Sequence, residues 1–342
     1  MRRCIELAKN GLGTTYPNPM VGSVIVYNNK IIGEGWHKKS GEPHAEVNAI
    51  RSVKDKSLLE KATIYVSLEP CSHFGKTPPC CDLIILNKIP NVVIGTVDSN
   101  IKVAGNGIKK LIEAGAKVTV GVLESECYEL NKRFFTFHEK KRPYVILKWA
   151  ESKDGFIAPL KIYRNEQKPV WITNEFSRQI VHKWRSEEQA ILVGTQTVID
   201  DNPKLDVRDW KGNNPVKVII DQNNRIPLES QVFEGQSKTI VFSKTVPTYK
   251  KENCIFELVD FEKNIADQIL QSLYKHQIHS IIIEGGQKTL QTFIDEEAWD
   301  EARVFIGTNS FEKGIKAPII PFKNKSKTII EEDELVILRN HD

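Results

Sequence analysis

Glu69-Pro-Cys-Ser-His-Phe-Gly-Lys-Thr-Pro-Pro-Cys80, read together with His44-Ala45-Glu46, organises the first half of the chain. Cys71 and Cys80 follow His44 by 27 and 36 residues. One neutral imidazole and two thiolates make three ligands for tetrahedral zinc, and a fourth position stays open for water, the pattern of a catalytic site. Glu46, two residues from the histidine, is near enough to move protons without binding metal. Water held at such an ion is acidified towards neutrality, and a carboxylate beside it can take the proton and hand it to a departing amine. Two other readings stand beside this one. Cys81 could close a structural site as fourth ligand, although neighbours on one helix point apart. The cysteines could also be unrelated core residues.

Outward from this stretch, strands alternate with helices. Arg3–Asn10 reads as a helix closed by Gly11. Val21–Tyr27 and Lys30–Ile32 flank Asn28-Asn29 as a hairpin. Helices are expected at His44–Val53, Pro79–Asn87 and Ile108–Ala114, with one longer helix from Glu124 to about Lys140; strands are expected at Ala62–Val66, Asn91–Gly95 and Lys117–Val120. The polar, basic run His138-Glu-Lys-Lys-Arg-Pro143 marks a boundary, giving domains 1–142 and 143–342. Beyond it come strands at Tyr144–Trp149, Ala190–Val193, Val216–Ile220, Thr239–Phe242 and His279–Ile283. Helices are expected at Asn174–Arg185, at Glu262–Lys275 and after the turn Glu284-Gly285-Gly286. Such alternation predicts α/β domains with helices packed on mixed or parallel sheets.

With 342 residues, two domains are the natural expectation. Hydrophobic residues at 40% and charged residues at 27% fit a globular chain and exclude extensive disorder or collagen-like repeats. No apolar run reaches the roughly 18 residues of a membrane-spanning helix, and Met1–Glu6 lacks the apolar core of a secretory signal. A net charge of 48 − 44 = +4 is too small to imply a nucleic-acid partner. The six cysteines do not form a disulfide framework, so a cytoplasmic location is expected.

The order H-A-E, E-P-C, P-P-C matches zinc nucleobase deaminases, except that eight residues rather than two separate the cysteines. With that longer spacing the string closely resembles the deaminase half of the bifunctional deaminase/reductases of riboflavin biosynthesis. The resemblance extends to Thr15–Gly22, Gly41–Glu46, Val103–Gly107 and Leu130-Asn131. It implies a cytidine-deaminase-like α/β/α domain with His44, Cys71 and Cys80 on Zn2+, Glu46 as proton shuttle, and Asn18, His37, His73 and Lys76 lining the pocket. His73 and Lys76 can offer donors to a substrate phosphate. For His37 and Lys76 the bland alternatives are a satisfied histidine and a solvated loop lysine.

From Tyr144 onward the chain resembles the same family's reductase domain, which implies a dihydrofolate-reductase-like α/β fold binding NADPH. The matching stretches include Leu147–Ala150, Trp171–Thr173, Ile191–Gly194, Asp201–Pro203 and Glu284–Gly286. The Gly-Gly turn between an apolar strand and a helix suits phosphate binding. It is also what turn geometry alone can demand, and it is not the G-x-G-x-x-G fingerprint. By resemblance, Gly286, Gln287, Lys288, Thr289, Leu290, Gln291 and Thr292 lie along the cofactor phosphates, and Ala150, Trp171, Thr197, Asp201 and Gln222 contact it elsewhere. The substrate side falls to Lys148, Pro169, Arg185, Leu205, Arg208 and Glu284. Pro169 and Gln222 stand where serine is commoner in the family. Lys148 interrupts an apolar strand, so it either faces outward or has an active-site role.

The expectation is therefore a bifunctional enzyme acting on a phosphorylated pyrimidine. The first half would deaminate 2,5-diamino-6-ribosylamino-4(3H)-pyrimidinone 5′-phosphate, and the second would reduce the ribosyl group to ribityl by hydride transfer to C1′. A homo-oligomer is expected, with no nucleic-acid or membrane partner. An editing deaminase with an RNA-binding module would need a basic, aromatic surface. A regulatory zinc protein would not need Glu46.

Overall fold

Burial of short β-branched runs builds the two main sheets. The computed structural model describes the chain except residues 75–77, 99–104, 161, 163–166, 168, 249–250, 323 and 341–342, and gives residue 324 by its backbone alone. It divides into two units, Met1–Lys141 and Arg142–Asp342.

The first unit holds a five-stranded sheet of β1 (Gly22–Tyr27), β2 (Lys30–Trp36), β3 (Thr63–Leu68), β4 (Asn91–Thr96) and β5 (Lys117–Val120), in the order β2-β1-β3-β4-β5. β1 runs antiparallel to β2 and β3, while β3, β4 and β5 are parallel. Asn28 and Asn29 are both left-handed, with φ of 48° and 59°, the pair of conformations a tight two-residue hairpin turn needs. Its helices are α1 (Arg2–Lys9), α2 (Ala45–Ser52), α3 (Cys80–Leu86), α4 (Asn106–Glu113), α5 (Glu124–Leu130) and α6 (Lys132–Lys140). Ile25, Ile64, Val92 and Ile94 from the sheet pack with Ala49, Ile84 and Leu111 from three of the helices. β2 runs on to Trp36, beyond the expected Ile32, because Gly35 lets α2 lie against it: a Cβ there would meet the Ala49 amide nitrogen at 2.5 Å.

The long helix expected from Glu124 breaks at Asn131 (φ −107°, ψ 22°). The buried Asn131 carboxamide bonds both backbone groups of Met20: Oδ1 accepts from its N–H and Nδ2 donates to its carbonyl, each at 2.8 Å. A side chain committed to a distant strand of backbone in this way competes with helix continuity.

The second unit is built on β6 (Tyr144–Glu151), β8 (Ala190–Gly194), β9 (Val216–Ile220), β10 (Thr239–Ser243), β11 (Cys254–Leu258), β12 (Ser280–Ile283), β13 (Glu301–Ile306), β15 (Asn324–Ile330) and β16 (Asp333–Arg339). They form one sheet in the order β11-β10-β9-β8-β12-β6-β13-β16-β15. Pairing is parallel from β11 through β13, and antiparallel on both sides of β16. β7 (Phe156–Pro159) and β14 (Gly314–Lys316) pair separately. α7 (Glu175–Glu187), α8 (Thr195–Asp201), α9 (Ile265–Lys275) and α10 (Gln287–Asp295) complete it. Asn174 caps α7, its Oδ1 accepting from Ser177 N–H. Trp299, Phe242, Phe293 and Leu273 fill the main core with Val145, Leu147, Ile281 and Ile283 from the central strands.

Replacing Asn131 by Ala strands two buried backbone groups, and each unpaired group costs about 1–3 kcal/mol. Hydrogen exchange of the Asn131→Ala chain should rise in a peptide spanning residues 18–24 and stay unchanged in one spanning 280–284.

Candidate functional site

Three segments converge at one end of the first sheet. His44 is the extended residue before α2, Cys71 lies just past β3, and Cys80 opens α3. His44 Nδ1 is 3.6 Å from Cys71 Sγ and 3.3 Å from Cys80 Sγ, and the three donor atoms fall within 4.8 Å of one another. Tetrahedral zinc, with bonds of about 2.1 Å to nitrogen and 2.3 Å to sulfur, wants such donors roughly 3.6–3.8 Å apart. The donor set therefore fits. Cys81 does not join it: its thiol faces the carbonyls of Pro70 at 3.1 Å and Gly107 at 3.6 Å, so the closed four-ligand arrangement is not built. Glu46, in the first turn of α2, is 3% exposed, and burial pushes its carboxyl up to about 7.

His37 is buried, with its ring edge-on to His44 at 5.2 Å; its Nε2 meets Asn18 Nδ2 at 3.1 Å and its Nδ1 meets the Pro43 carbonyl at 3.3 Å. Burial holds its pKa below the usual imidazole value. Asn18 and His37 thus flank the metal ligands, while His73 is exposed on the intervening loop. Lys76 lies outside the described residues.

Glu69 stands in the sequence reading only as part of the motif, with no role of its own. Its buried carboxylate accepts from the N–H groups of Gly107 (2.9 Å), Gly105 (3.0 Å), Ile108 (3.3 Å) and Asp98 (3.4 Å). A negative charge at the start of α4 is favourable, and it ties the strand end bearing Cys71 to that helix. Its partners are some 30–40 residues away, so no local pattern could reveal them.

The second unit has a cavity of about 700 Å³ at the carboxyl ends of its central strands. All six expected substrate residues, Lys148, Pro169, Arg185, Leu205, Arg208 and Glu284, line it. Glu284 follows β12 and is gripped by Arg185 on α7: Nε to Oε1 at 3.1 Å and Nη2 to Oε2 at 2.7 Å. Lys148 Nζ lies 3.8 Å from Oε2 with its side chain 14% exposed, and the strand lysine lines the cavity. Burial opposes the Glu284 charge, but Arg185 and Lys148 outweigh it and hold the carboxyl down at about 2. Burial pulls the Lys148 ammonium below its usual value.

The cofactor side is only partly assembled there. Ala150, Trp171, Thr197, Asp201, Gly286 and Gln287 line the same cavity. Gly286 precedes α10 in extended backbone (φ −64°, ψ 172°), and the first atom a Cβ there would approach is Thr197 Oγ1 at 3.5 Å. That open face at a helix start suits a dinucleotide phosphate. Packing beneath it is tight: a Cβ on Gly194 or on Gly285 would come within 2.6 Å of Thr289. Thr289 is thus a spacer between two turns. Leu290 is fully buried in the main core. Gln291 is bonded to both backbone groups of Ile319 and to Asp295, and Thr292 Oγ1 donates to the Lys288 carbonyl one turn back. The structure does not bring Lys288, Thr289, Leu290, Gln291, Thr292 or the exposed Gln222 to the cavity wall. A helix turns its residues around its axis, so one run of seven cannot all face a single ligand.

Residues 1–96 match the cytidine and deoxycytidylate deaminase zinc-binding region, and residues 143–309 match the RibD C-terminal domain. The riboflavin biosynthesis protein RibD of Aquifex aeolicus is 40% identical over 92% of this chain and 88% of that protein. The Escherichia coli protein of that name is 36% identical over 90% and 86%. A solved diaminohydroxyphosphoribosylaminopyrimidine deaminase/5-amino-6-(5-phosphoribosylamino)uracil reductase from Thermotoga maritima superposes with a TM-score of 0.90 at 41% identity, covering 100% of this chain and 97% of that one. Acinetobacter baumannii RibD gives 0.87 at 32%, covering 100% and 98%. Both α/β halves expected from the sequence are thereby accounted for. With a three-ligand donor set of His44, Cys71 and Cys80 in one half and a deep cavity in the other, the chain belongs to the RibD family, the bifunctional zinc-dependent deaminases and NADPH-dependent reductases of riboflavin biosynthesis.

Proposed function

We propose that the unit before residue 142 hydrolytically deaminates 2,5-diamino-6-ribosylamino-4(3H)-pyrimidinone 5′-phosphate, and that the following unit reduces the ribosyl side chain of 5-amino-6-(5-phosphoribosylamino)uracil to ribityl. The observation that carries the first step is the convergence of His44, Cys71 and Cys80 beside a buried Glu46, with Cys81 turned to backbone carbonyls. Zinc held by these three ligands supplies Lewis acidity towards water. Glu46, near-neutral in its pKa, takes the proton of the attacking water and delivers it to the departing ammonia. His37 and Asn18 hold the ring, and His73 with Lys76 meets the phosphate.

In the second unit, NADPH supplies a hydride for C1′ of the sugar. Gly286 and Gln287 at the start of α10 receive its phosphates, and Ala150, Trp171, Thr197 and Asp201 line its bed. The two arginines divide their work. Arg185 is largely covered and committed to Glu284, so it fixes the charge pattern of the wall. Arg208, half exposed and, among the described residues, bonded to Asp206 Oδ1 through Nη1, keeps the rest of its fork for the substrate phosphate. Lys148, Glu284, Leu205 and Pro169 shape the space for the pyrimidine. All six cysteines are free, which supports a reducing, cytoplasmic setting. The outer strands β11 and β15 offer edges for an assembly of identical copies.

Glu46→Gln should keep one zinc per chain by elemental analysis while deamination falls about 10²–10⁴-fold. Loss of the metal together with activity would make Glu46 a ligand. A chelator should stop deamination and leave NADPH oxidation on the already deaminated substrate intact.

Glu284 also sets an acid limit. Its carboxyl lies at about 2 in the fold against an ordinary 4.5, so its stabilisation is complete above 4.5 and is lost as pH falls from there towards 2. Arg185→Met removes the partner that depresses it. The acid unfolding midpoint of the second unit, followed by tryptophan fluorescence, should move up by about one pH unit. An unchanged midpoint would mean that the pair contributes nothing there.

A further inference from the structure

His182 is a buried histidine in the wall of the reductase cavity to which neither the motifs nor the catalytic scheme gives a task. It lies on α7 one turn before Arg185. Its Nδ1 accepts from the Arg208 backbone N–H at 3.2 Å, and its Nε2 lies 3.3 Å from Asp209 Oδ2. An imidazole nitrogen accepts only when unprotonated. The neutral tautomer with hydrogen on Nε2 is thus the one that satisfies both neighbours, donating to the Asp209 carboxylate. Burial and the nearby charges of Arg185 and Arg208 favour that neutral form, against Asp209 and Glu284.

The loop it holds is the one that bears Arg208. Leu205 is buried and left-handed, with φ of 56°, a conformation that costs a non-glycine residue energy and persists only where surroundings enforce it. From there the chain is clamped to α7 twice: Arg185 Nη1 donates to the Asp206 carbonyl at 3.3 Å, and His182 accepts from Arg208 N–H. Asn214 Oδ1 takes the intervening Val207 N–H at 2.8 Å. The guanidinium of Arg208 is itself half exposed and, among the described residues, is held by a 2.8 Å contact to Asp206. Its placement therefore depends on where its backbone is pinned.

We propose that His182 is a positioning residue of the reductase: through Nδ1 it fixes the Arg208 backbone so that the guanidinium fork meets the anionic end of the substrate. The inference rests on the assignment of Arg208 to the substrate phosphate. His182 acts through the Arg208 backbone, so its effect falls on substrate capture and spares the transfer itself.

The test is steady-state kinetics of the full chain with 5-amino-6-(5-phosphoribosylamino)uracil and NADPH, for His182→Asn, His182→Gln, His182→Leu and Arg208→Ala. Asn places an acceptor oxygen where Nδ1 stands; Gln reaches instead towards the Nε2 position. His182→Gln and His182→Leu should raise KM for the uracil substrate about 3–10-fold, the worth of one hydrogen bond, with kcat and NADPH affinity within twofold. His182→Asn should stay within about twofold of the unaltered chain. The proposal is overturned if Asn is as impaired as Gln, if none of the three changes KM, or if kcat and NADPH affinity fall together with KM. An Arg208→Ala chain with unchanged KM would instead overturn the assignment of Arg208.

Discussion

Parallel pairing sends the carboxyl ends of neighbouring strands to one edge of a sheet, and both halves of this chain put their chemistry there. In the first unit Glu69 and Cys71 leave β3 beside Asp98 leaving parallel β4. In the second, Glu284 leaves β12, Thr195 leaves β8, and Lys148 lies towards the end of β6, all strands of one parallel run. Residues more than a hundred positions apart become neighbours by this constraint alone. Several of the crossovers back to the sheet run through a helix, and the starts of three of those helices supply His44, Cys80 and Gly286.

Charge is buried at these edges because each group finds a partner. Glu69 satisfies its carboxylate with four backbone donors, and Glu284 uses an arginine fork with a lysine behind it. A lone buried charge is untenable, whereas a fully engaged one fixes geometry. The engagement is also selective. In the first unit burial outweighs the help that Glu46 receives from His44, the backbone and Cys80, and its carboxyl is raised to about 7.

Much of this was legible in the sequence. Alternating apolar runs located the central strands, Asn28-Asn29 announced its hairpin, and the spacing of His44, Cys71 and Cys80 described a site that closes in space. What escaped was non-local. Asn131 reads as an ordinary helix residue until Met20 arrives against it. β13 carries Glu301 and Arg303, which hide its strand character until they pair with each other at 2.6 Å. The antiparallel strands β15 and β16 are not read either; β15 is an edge strand whose Lys325 and Lys327 interrupt the apolar signal of a central strand. The run from Gly286 to Thr292 reads as one binding surface in the sequence, whereas the helical repeat divides it between cavity, core and outer face. His182 sat unremarked inside a correctly expected helix, since nothing in its own neighbourhood shows that it meets Arg208.

The contact of Gly194 and Gly285 with Thr289 fixes an order in which descendants of this chain can diverge. If position 289 shrinks to alanine, the oxygen that blocks Gly194 disappears, and the remaining Cβ stands 3.9 Å from a side chain newly gained there. Gly285 gains no such freedom, because it abuts the Cβ of residue 289 itself at 2.6 Å. One glycine is therefore historically contingent and can be lost after a permissive change, whereas the other is locked for as long as α10 keeps its seat. Two identical residues on neighbouring turns would then show different histories, and the difference is set by which atom of a single threonine each one meets.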